Sequence, residues 1–488
     1  MAGPTQKWRV VTKWSRSSFE PRQLRQPTRA IWGCQTARVA AERSAIAVLG
    51  AGPAGAAAAL GLAALGYDVC VVAQPRARAG RESFSARVVA ALHALGVEEA
   101  LAALSAPCAR AVHWAGDARA LAGEAQVERA AFDAGLAAAL ARRGVRVLRG
   151  EVQRVSADAS GARIALASGE VVETSFVIEA RGRAAPASGA RERGPETTCV
   201  VLSWRVPVRE PRIAVASLAN GWAWCADDGH GALTTQLARG AREAPARAEL
   251  AARSEAALRA HPLCTELLRD AAPSGEPFAR AATPVFDAGL VRERMLRVGD
   301  AALAVDPLSG NGVFQALSTA QVAPAVVNTL LRRPEHGALA REFYIARARD
   351  IFLRFARVSR DFYAAGAAHH GGAFWEARAQ WPDAEPAHAS GGKLELALRP
   401  VVCDGWIEPR EVALTAARPL GTWQIAGVEI APLVRAIQRG GVAAEAHALA
   451  ALPEPARAPL LAWLRAHRVE PPRDVPRRKL SSGTFHDE

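Results

Sequence analysis

Short apolar runs bounded by glycine open the patterned part of the chain. Ala45–Leu49 is an unbroken apolar stretch of the kind that forms a strand buried on both faces. It leads directly into "GAGPAGAAAALGLAALGYDVCVV", Gly50 to Val72. The first half of that stretch reads as a turn and a helix, and Val69–Val72 reads as a second buried strand, so the opening is a βαβ unit. Residues 81–97, "RESFSARVVAALHALGV", read as a loop capped by Ser85 that leads into a helix. Near-alternating runs at 145–156 and 163–167 are separated by "DASG" and followed by "ASGE", which mark turns. With Val171–Val172 and Phe176–Ile178 they predict a meander that ends at "EARGR", 179–183.

The pattern changes at 197–290. "TTCVVLSWRVPV" and "RIAVASLANGWAWCADDGHGALTTQLA" predict strands joined by tight turns, hence a second, antiparallel sheet. Met295–Val298 is again apolar and precedes "GDAALAVDPLSGNGVFQAL", 299–317, which ends as a helix. In 344–365, Ile351, Phe355, Val358 and Phe362 recur at helical spacing and predict a core face. Residues 371–398 are rich in Gly and Pro and read as a linker. Beyond it, Ile430, Leu433, Val434 and Ile437 share one helical face, and "APLLAWLRAHRV" gives a second short helix. Residues 399–470 thus form a small α+β module, with a winged-helix-like arrangement as one reading, and 471–488 a disordered tail.

Composition narrows the picture. Of 488 residues, 50% are hydrophobic and 22% charged, enough for a sizeable core and against bulk disorder. The net charge of +13 suggests nucleic acid, but nine Lys/Arg and two Glu place +7 of it in residues 1–44. No nucleic-acid reader motif accompanies the charge, so none is expected as a partner. Residues 1–44 lack an apolar secretory core. A disordered basic extension, an organellar-type leader, or translation beginning near Val39 remain open. Seven cysteines are scattered without metal-type spacing, so no metal site is expected. Reduced thiols point to the cytoplasm. No apolar run of membrane-spanning length is seen.

The candidate chemistry sits in two glycine turns. Gly50, Gly52 and Gly55, with Pro53 and Ala54 between them, have G-x-G-x-x-G spacing between a strand and a helix. The first glycine makes the tight turn, the second lets backbone approach a pyrophosphate, and the third lets helix pack on strand. An acid is expected at the end of the second strand for the ribose, but Ala73 stands there. Gln74, Arg76 or Arg78 are the candidates to hold the adenosine end. In the second turn, Asp300 follows a glycine, and Pro307, Gly310, Asn311, Gly312 and Val313 lie at a helix N-terminus, which attracts negative charge.

"GAGPAG", "EARGR" and "GDAALAVDPLSGNG" together resemble the FAD-dependent monooxygenase superfamily that includes aromatic hydroxylases, tryptophan halogenases and geranylgeranyl reductases. The resemblance spans roughly 45–380. It implies an α/β fold: a Rossmann-like FAD-binding domain of the glutathione-reductase/p-hydroxybenzoate-hydroxylase type at 45–195 and 291–333. An inserted antiparallel β-sheet substrate domain would occupy 196–290, and a helical segment and linker 334–398. It implies that Asp300 contacts the ribityl chain, that the 307–313 backbone faces the isoalloxazine ring, and that Arg87 supports the flavin.

Three departures bear on the subclass. Halogenases of the superfamily carry a lysine for the oxidant, yet no Lys occurs between 14 and 390. Their W-x-W-x-I-P motif is matched only by Trp222 and Trp224 in "GWAWCADDG", which become substrate-facing candidates. Hydroxylases that recruit NADPH directly show Asp-Gly where this chain has Arg181-Gly182. A narrower set of segments, "VVAQPR…RESFSARVVAALHALG" and "RDFYAA…FWEARAQWP", with the C-terminal module, is similar to flavoprotein hydroxylases that mature tryptophylquinone cofactors. The activity so implied is hydroxylation of an aromatic ring through a flavin C4a-hydroperoxide, with O2 as co-substrate and NAD(P)H or a separate reductase as electron source. The narrower form of the substrate is a peptidyl tryptophan of an amine dehydrogenase subunit. Glu82 and Asp306 are weak catalytic candidates, with blander roles as a loop charge and an N-cap; His93 reads as helix surface and His369-His370 as a solvated pair. An FAD-dependent reductase of the geranylgeranyl-reductase type, and a flavin-containing maturation or binding factor, stand as alternatives.

Overall fold

The computed structural model describes residues 42–74, 80–243, 245–389, 393–439 and 454–467. The expected extension before residue 42, Arg76 and Arg78, and the tail from 471 lie outside the described residues. The rest divides into two units: a larger one through His388 together with Val402–Glu408, and a smaller one that includes Pro409 onward.

The larger unit opens with strand β1 (Glu42–Leu49), helix α1 (Pro53–Ala64) and strand β2 (Val69–Ala73). β1 pairs in parallel with β2 on one side and with Val171–Glu179 on the other. Arg146–Arg149 extends the parallel sheet beyond β2, and Met295–Arg297 beyond Val171–Glu179. Ile46, Ala47, Val48 and Leu49 are fully buried, as a parallel strand covered on both faces requires. The strand hairpin Val152–Asp158/Gly161–Leu166 pairs with the start of Val171–Glu179, so the expected meander is present. Helix α1 presents alanines and Gly61 to helix Gly312–Arg332; a Cβ on Gly61 would lie 2.5 Å from Pro324 Cγ. Small residues therefore let the two helices that end in the glycine turns lie close together.

The second sheet differs from expectation. Residues Arg81–Phe84, read above as loop, form strand β3, and helix α2 (Ala86–Leu95) follows, with Ser85 at its N-cap but making no side-chain cap bond. β3 pairs with Asp117–Glu128, which pairs with Leu104–Trp114, and that strand runs parallel to Arg212–Leu218. Thr197–Arg205, Ala232–Gly240 and Gly221–Asp227, with the short strands Ala272–Pro273 and Phe278–Ala281 on Thr197–Arg205, complete a nine-stranded mixed sheet. The sheet is thus neither purely antiparallel nor confined to 196–290. The strands before residue 130 were illegible because most of their side chains are exposed or half-buried, which erases the alternation.

Helix Gly337–His370 buries Tyr344, Phe352, Phe355, Ser359 and Tyr363. Ile351 is buried as expected, but Val358 is only half-buried and Phe362 is 50% exposed on the flank that faces Trp114. The stretch read as a linker is not one in its first part. Ala373–Ala379 is a helix whose Phe374 and Trp375 are buried, and Trp381 packs edge-on against Phe352. Aromatic anchors override the Gly/Pro composition there. In the smaller unit, Ala413 and Thr415 pair with Thr422 and Arg418. Ile430, Leu433, Val434 and Ile437 pack with Leu460 and Leu464 of helix Glu454–Ala466.

Candidate active site

The two glycine turns, about 250 residues apart in sequence, meet at the C-terminal edge of the parallel sheet, where ligands of α/β sheets bind. Gly50 has φ +109°, and a Cβ there would sit 2.6 Å from the Ala180 carbonyl oxygen. A Cβ on Gly55 would lie 1.8 Å from the Gly50 carbonyl oxygen. Gly52 is different: nothing lies within 4 Å of its Cβ position, and it caps α1 without a side-chain bond. The first N–H groups of α1 have no acceptor within the helix. Pro53 and Ala54 are buried, and Gly299 closes on Ala54, whose Cβ would be 2.7 Å from a Gly299 Cβ. Gln74 is exposed at the end of β2.

Asp300 extends from the Gly299 turn and pairs with Arg183 at 3.5 Å. Its side chain is 37% exposed, and desolvation by the surroundings pushes its pKa up while Arg183 pulls it down. A cavity of about 90 Å3 opens beside it, lined by Arg183, Arg191, Thr283 and Asp287. Arg183 sits two residues beyond Arg181, whose guanidinium is held by the buried Glu179 carboxylate.

The second turn has an unpartnered helix end. Gly310 (φ +60°) and Gly312 have nothing within 4 Å of their Cβ positions. Asn311 occupies the N-cap of helix Gly312–Arg332 without capping it, since its amide is spent on Ser309 O and its carbonyl on Arg87. The N–H groups of Gly312 and Val313 are left to any ligand edge placed there. Arg87 also lies 4.1 Å from the Phe314 ring centre, so this candidate does reach the turn; burial, then the Arg354 charge, lower its pKa.

The catalytic candidates occupy more structural positions. Glu82 receives Arg129 through both oxygens at 3.1 Å. Asp306 is buried, accepts from Leu308 N–H at 2.9 Å and from the Tyr363 hydroxyl at 3.2 Å, and burial raises its pKa. Trp222 is buried with its indole N–H on the Tyr363 oxygen at 3.0 Å; Trp224 is the half-exposed member of the pair. His93 is exposed. His370 is half-buried, stacked on Trp375 and bonded to Ser217, so it departs from a solvated pair. Sequence reading passed over Arg183 and Tyr363. Tyrosine is scarce here, three in the whole chain, and each donates from a buried or half-buried position: Tyr67 to Asn328, Tyr344 to Arg297 O, Tyr363 to Asp306. That scarcity was the available signal.

The open glycines, the bare helix N-termini and the cleft carboxylate between them suit an extended ligand with a pyrophosphate at one end and an electron-accepting ring at the other, and FAD fits these groups. Among the described residues no cluster of His, Cys, Asp and Glu could hold a metal, and no helix is long and apolar enough to cross a membrane.

Comparison with known proteins agrees with this reading. The lycopene cyclase protein family model matches residues 45–212. A tryptophan 2-halogenase of Chondromyces crocatus is 27% identical over 354 residues, 65% of this chain and 67% of that protein. The crystal structure of CmlS, a flavin-dependent halogenase, superposes with a TM-score of 0.69 at 21% identity, covering 81% of this chain and 88% of that one. The structure of the peptidyl tryptophan dihydroxylase QhpG, essential for tryptophylquinone cofactor biogenesis, is 42% identical, covers 87% of this chain and 99% of that one, and gives a TM-score of 0.75. The fold and site thus define a flavin-dependent oxidoreductase of the tryptophan-halogenase-like superfamily. Within it, the chain belongs to the family of the peptidyl tryptophan dihydroxylase QhpG.

Proposed function

We propose that this chain is an FAD-dependent monooxygenase that hydroxylates a tryptophan ring within a protein, a subunit of an amine dehydrogenase whose tryptophylquinone cofactor is being made. The observation that carries the reading is the 42% identity to a peptidyl tryptophan dihydroxylase over 99% of that protein's length. The lysine-free stretch from 14 to 390 argues in the same direction, against halogenation.

Bound and reduced, FAD would supply the activation of O2 to an electrophilic oxygen donor. The protein's own residues bind, orient and exclude water. The first turn of α1 would hold the pyrophosphate, and Asp300 the ribityl hydroxyls. The Gly312 and Val313 N–H groups would be available to stabilise the negative charge that the ring gains on reduction. The aromatic packing of Trp222, Tyr363, Phe374 and Trp375 keeps the sheet side dry. An indole needs no prior deprotonation, which suits a site whose carboxylates are engaged by Arg129, Tyr363 and Leu308 N–H. Arg181 is paired to Glu179 where NADPH-recruiting relatives have an acid, which favours a separate reductase as electron source. Buried thiols at Cys108, Cys199, Cys225 and Cys264 favour the cytoplasm.

The test is to supply the FAD-loaded protein with a chemical reductant, O2 and tryptophan-containing polypeptides from the candidate subunit, then read products by mass spectrometry. Oxygen added to a tryptophan of the polypeptide, and none to free tryptophan, supports the reading. Halogen incorporation in the presence of chloride, or saturation of a polyprenyl lipid with no oxygen transfer, overturns it.

A further inference from the structure

Tyr363 is where three separate parts of the larger unit meet. Its hydroxyl lies 3.2 Å from each oxygen of the Asp306 carboxylate. It also accepts the Trp222 indole N–H at 3.0 Å. A phenol carries a single proton, and an indole N–H can only donate. The direction of the chain is therefore fixed: Trp222 to Tyr363 to Asp306. Asp306 holds the next link, because its carboxylate accepts Leu308 N–H at 2.9 Å and its backbone oxygen accepts the Ser309 hydroxyl at 2.8 Å. The Pro307–Ser309 turn is wound on that one side chain, and Gly310–Val313 follow directly.

All three side chains are removed from water: Asp306 is 4% exposed, Tyr363 1% and Trp222 4%. Arg378 supplies nearby positive charge; it stacks 3.9 Å from the Phe374 ring centre, 5.8 Å from that of Tyr363, and is itself anchored on Thr197 Oγ1 at 2.7 Å. The elements joined are the turn at the helix N-terminus, the strand Gly221–Asp227 that carries Trp222 and Trp224, and helix Gly337–His370. A phenylalanine at 363 would keep the ring contacts with Phe374 and Trp375. It would leave a buried indole N–H without an acceptor and the carboxylate with Leu308 N–H alone, both costly in a dry environment.

We propose that Tyr363 is a positioning residue that locks the flavin-facing turn to the aromatic strand of the second sheet. It rests on the FAD reading of Pro307–Val313 and deepens it. Oxygen transfer requires a ring held at fixed distance and angle to the cofactor edge. One hydroxyl ties the turn read as facing the cofactor to the strand that carries Trp222 and Trp224. Loss of that tie lets the two drift apart without unfolding either.

The experiment compares full-length wild type, Tyr363→Phe and Trp222→Phe. It reads FAD affinity by fluorescence, the visible spectrum and midpoint potential of the bound flavin, and the ratio of peroxide released to O2 consumed after reduction. Tyr363→Phe should weaken FAD binding about tenfold, the value of one hydrogen bond to a charged group. It should shift the flavin spectrum and potential and raise the peroxide ratio. Trp222→Phe should shift the spectrum less, and the double variant should change less than the sum of the single ones, as members of one network do. A Tyr363→Phe protein with only a lower unfolding midpoint, and unchanged spectrum, potential and peroxide ratio, overturns the proposal. If Tyr363→Phe does not fold, an unchanged spectrum and peroxide ratio in Trp222→Phe overturns it instead. A wild-type chain that binds no FAD overturns the cofactor reading and this proposal together, which separates the two failures.

Discussion

Asp287 and Asp306 are buried carboxylates nineteen residues apart, and the fold treats them in opposite ways. Asp287 is 1% exposed and saturated with donors: the Ser188 hydroxyl and N–H, the Gly289 N–H at 3.0 Å and Arg191 Nε at 3.2 Å, with Arg297 3.8 Å away. Burial alone would raise its pKa, but those bonds outweigh burial and lower it. Asp306 is 4% exposed with one backbone N–H and one phenol, and there burial wins, so its pKa rises. The first carboxylate fastens the scaffold around residues 185–191 and 297. The second is left short of donors beside the cleft, as a group in a functional turn can be when its neighbours over-determine it. Burial by itself is therefore no guide to role; the count and kind of donors is.

The largest expected effect breaks that contrast directly. Asp287→Ala leaves the Arg191 and Arg297 guanidiniums without their carboxylate and should cost about 3–5 kcal/mol of stability. Asp306→Ala should cost about 1–2 kcal/mol. Denaturant unfolding of both variants checks this; equal losses would remove the distinction. The glycines extend the contrast to the backbone. Gly55→Ala forces a Cβ against the Gly50 carbonyl and should prevent a stable fold. Gly52→Ala has open space and a φ of −69°, so stability should change by less than about 0.5 kcal/mol while FAD affinity drops at least about tenfold. Thermal unfolding with and without added FAD separates the two.

The pH dependence sharpens the comparison further. Asp287 has a folded pKa below its unfolded value, so its contribution is complete above about pH 4 and is lost as the pH falls through the folded value. Asp306 has a folded pKa above its unfolded value. The folded protein holds that proton more tightly, so stability declines as pH rises from about 4 through the folded value. Asp306→Asn should abolish that second decline and leave the acid limb intact, as unfolding midpoints across pH would show. The smallest effect is at His93, exposed on α2, where Ala should change stability by less than about 0.5 kcal/mol and leave FAD affinity unaltered.

Much of this was legible in the sequence where the requirement is local. The Gly50–Gly55 turn, the parallel strands on either side of it, and the Asp306–Gly312 turn each announce themselves, because a tight turn, a close approach or a helix end restricts the residues that can stand there. The face Ile430, Leu433, Val434 and Ile437 was legible for the same reason: its periodicity is intrinsic to one helix. Where a segment's role depends on partners far along the chain, the pattern misled. Residues 104–128 form two long strands whose exposed side chains hide them. Residues 371–382 have a linker's glycines yet bury Phe374 and Trp375.

The sequence alone determined the βαβ opening with its glycine turn, the second glycine turn, the family resemblance and the absence of lysine from 14 to 390. It did so because backbone sterics and helix-end electrostatics act within a few residues. Only the tertiary structure decided that the two turns share one cleft, that Arg183 faces Asp300, and that Tyr363 bridges Asp306 and Trp222. Those contacts join residues 57 to 141 positions apart, with the turns themselves about 250 apart, and no local preference encodes them. They exist because burying two sheets and two long helices against one another takes these polar groups out of water and brings them within hydrogen-bond reach, so packing chooses which of them meet.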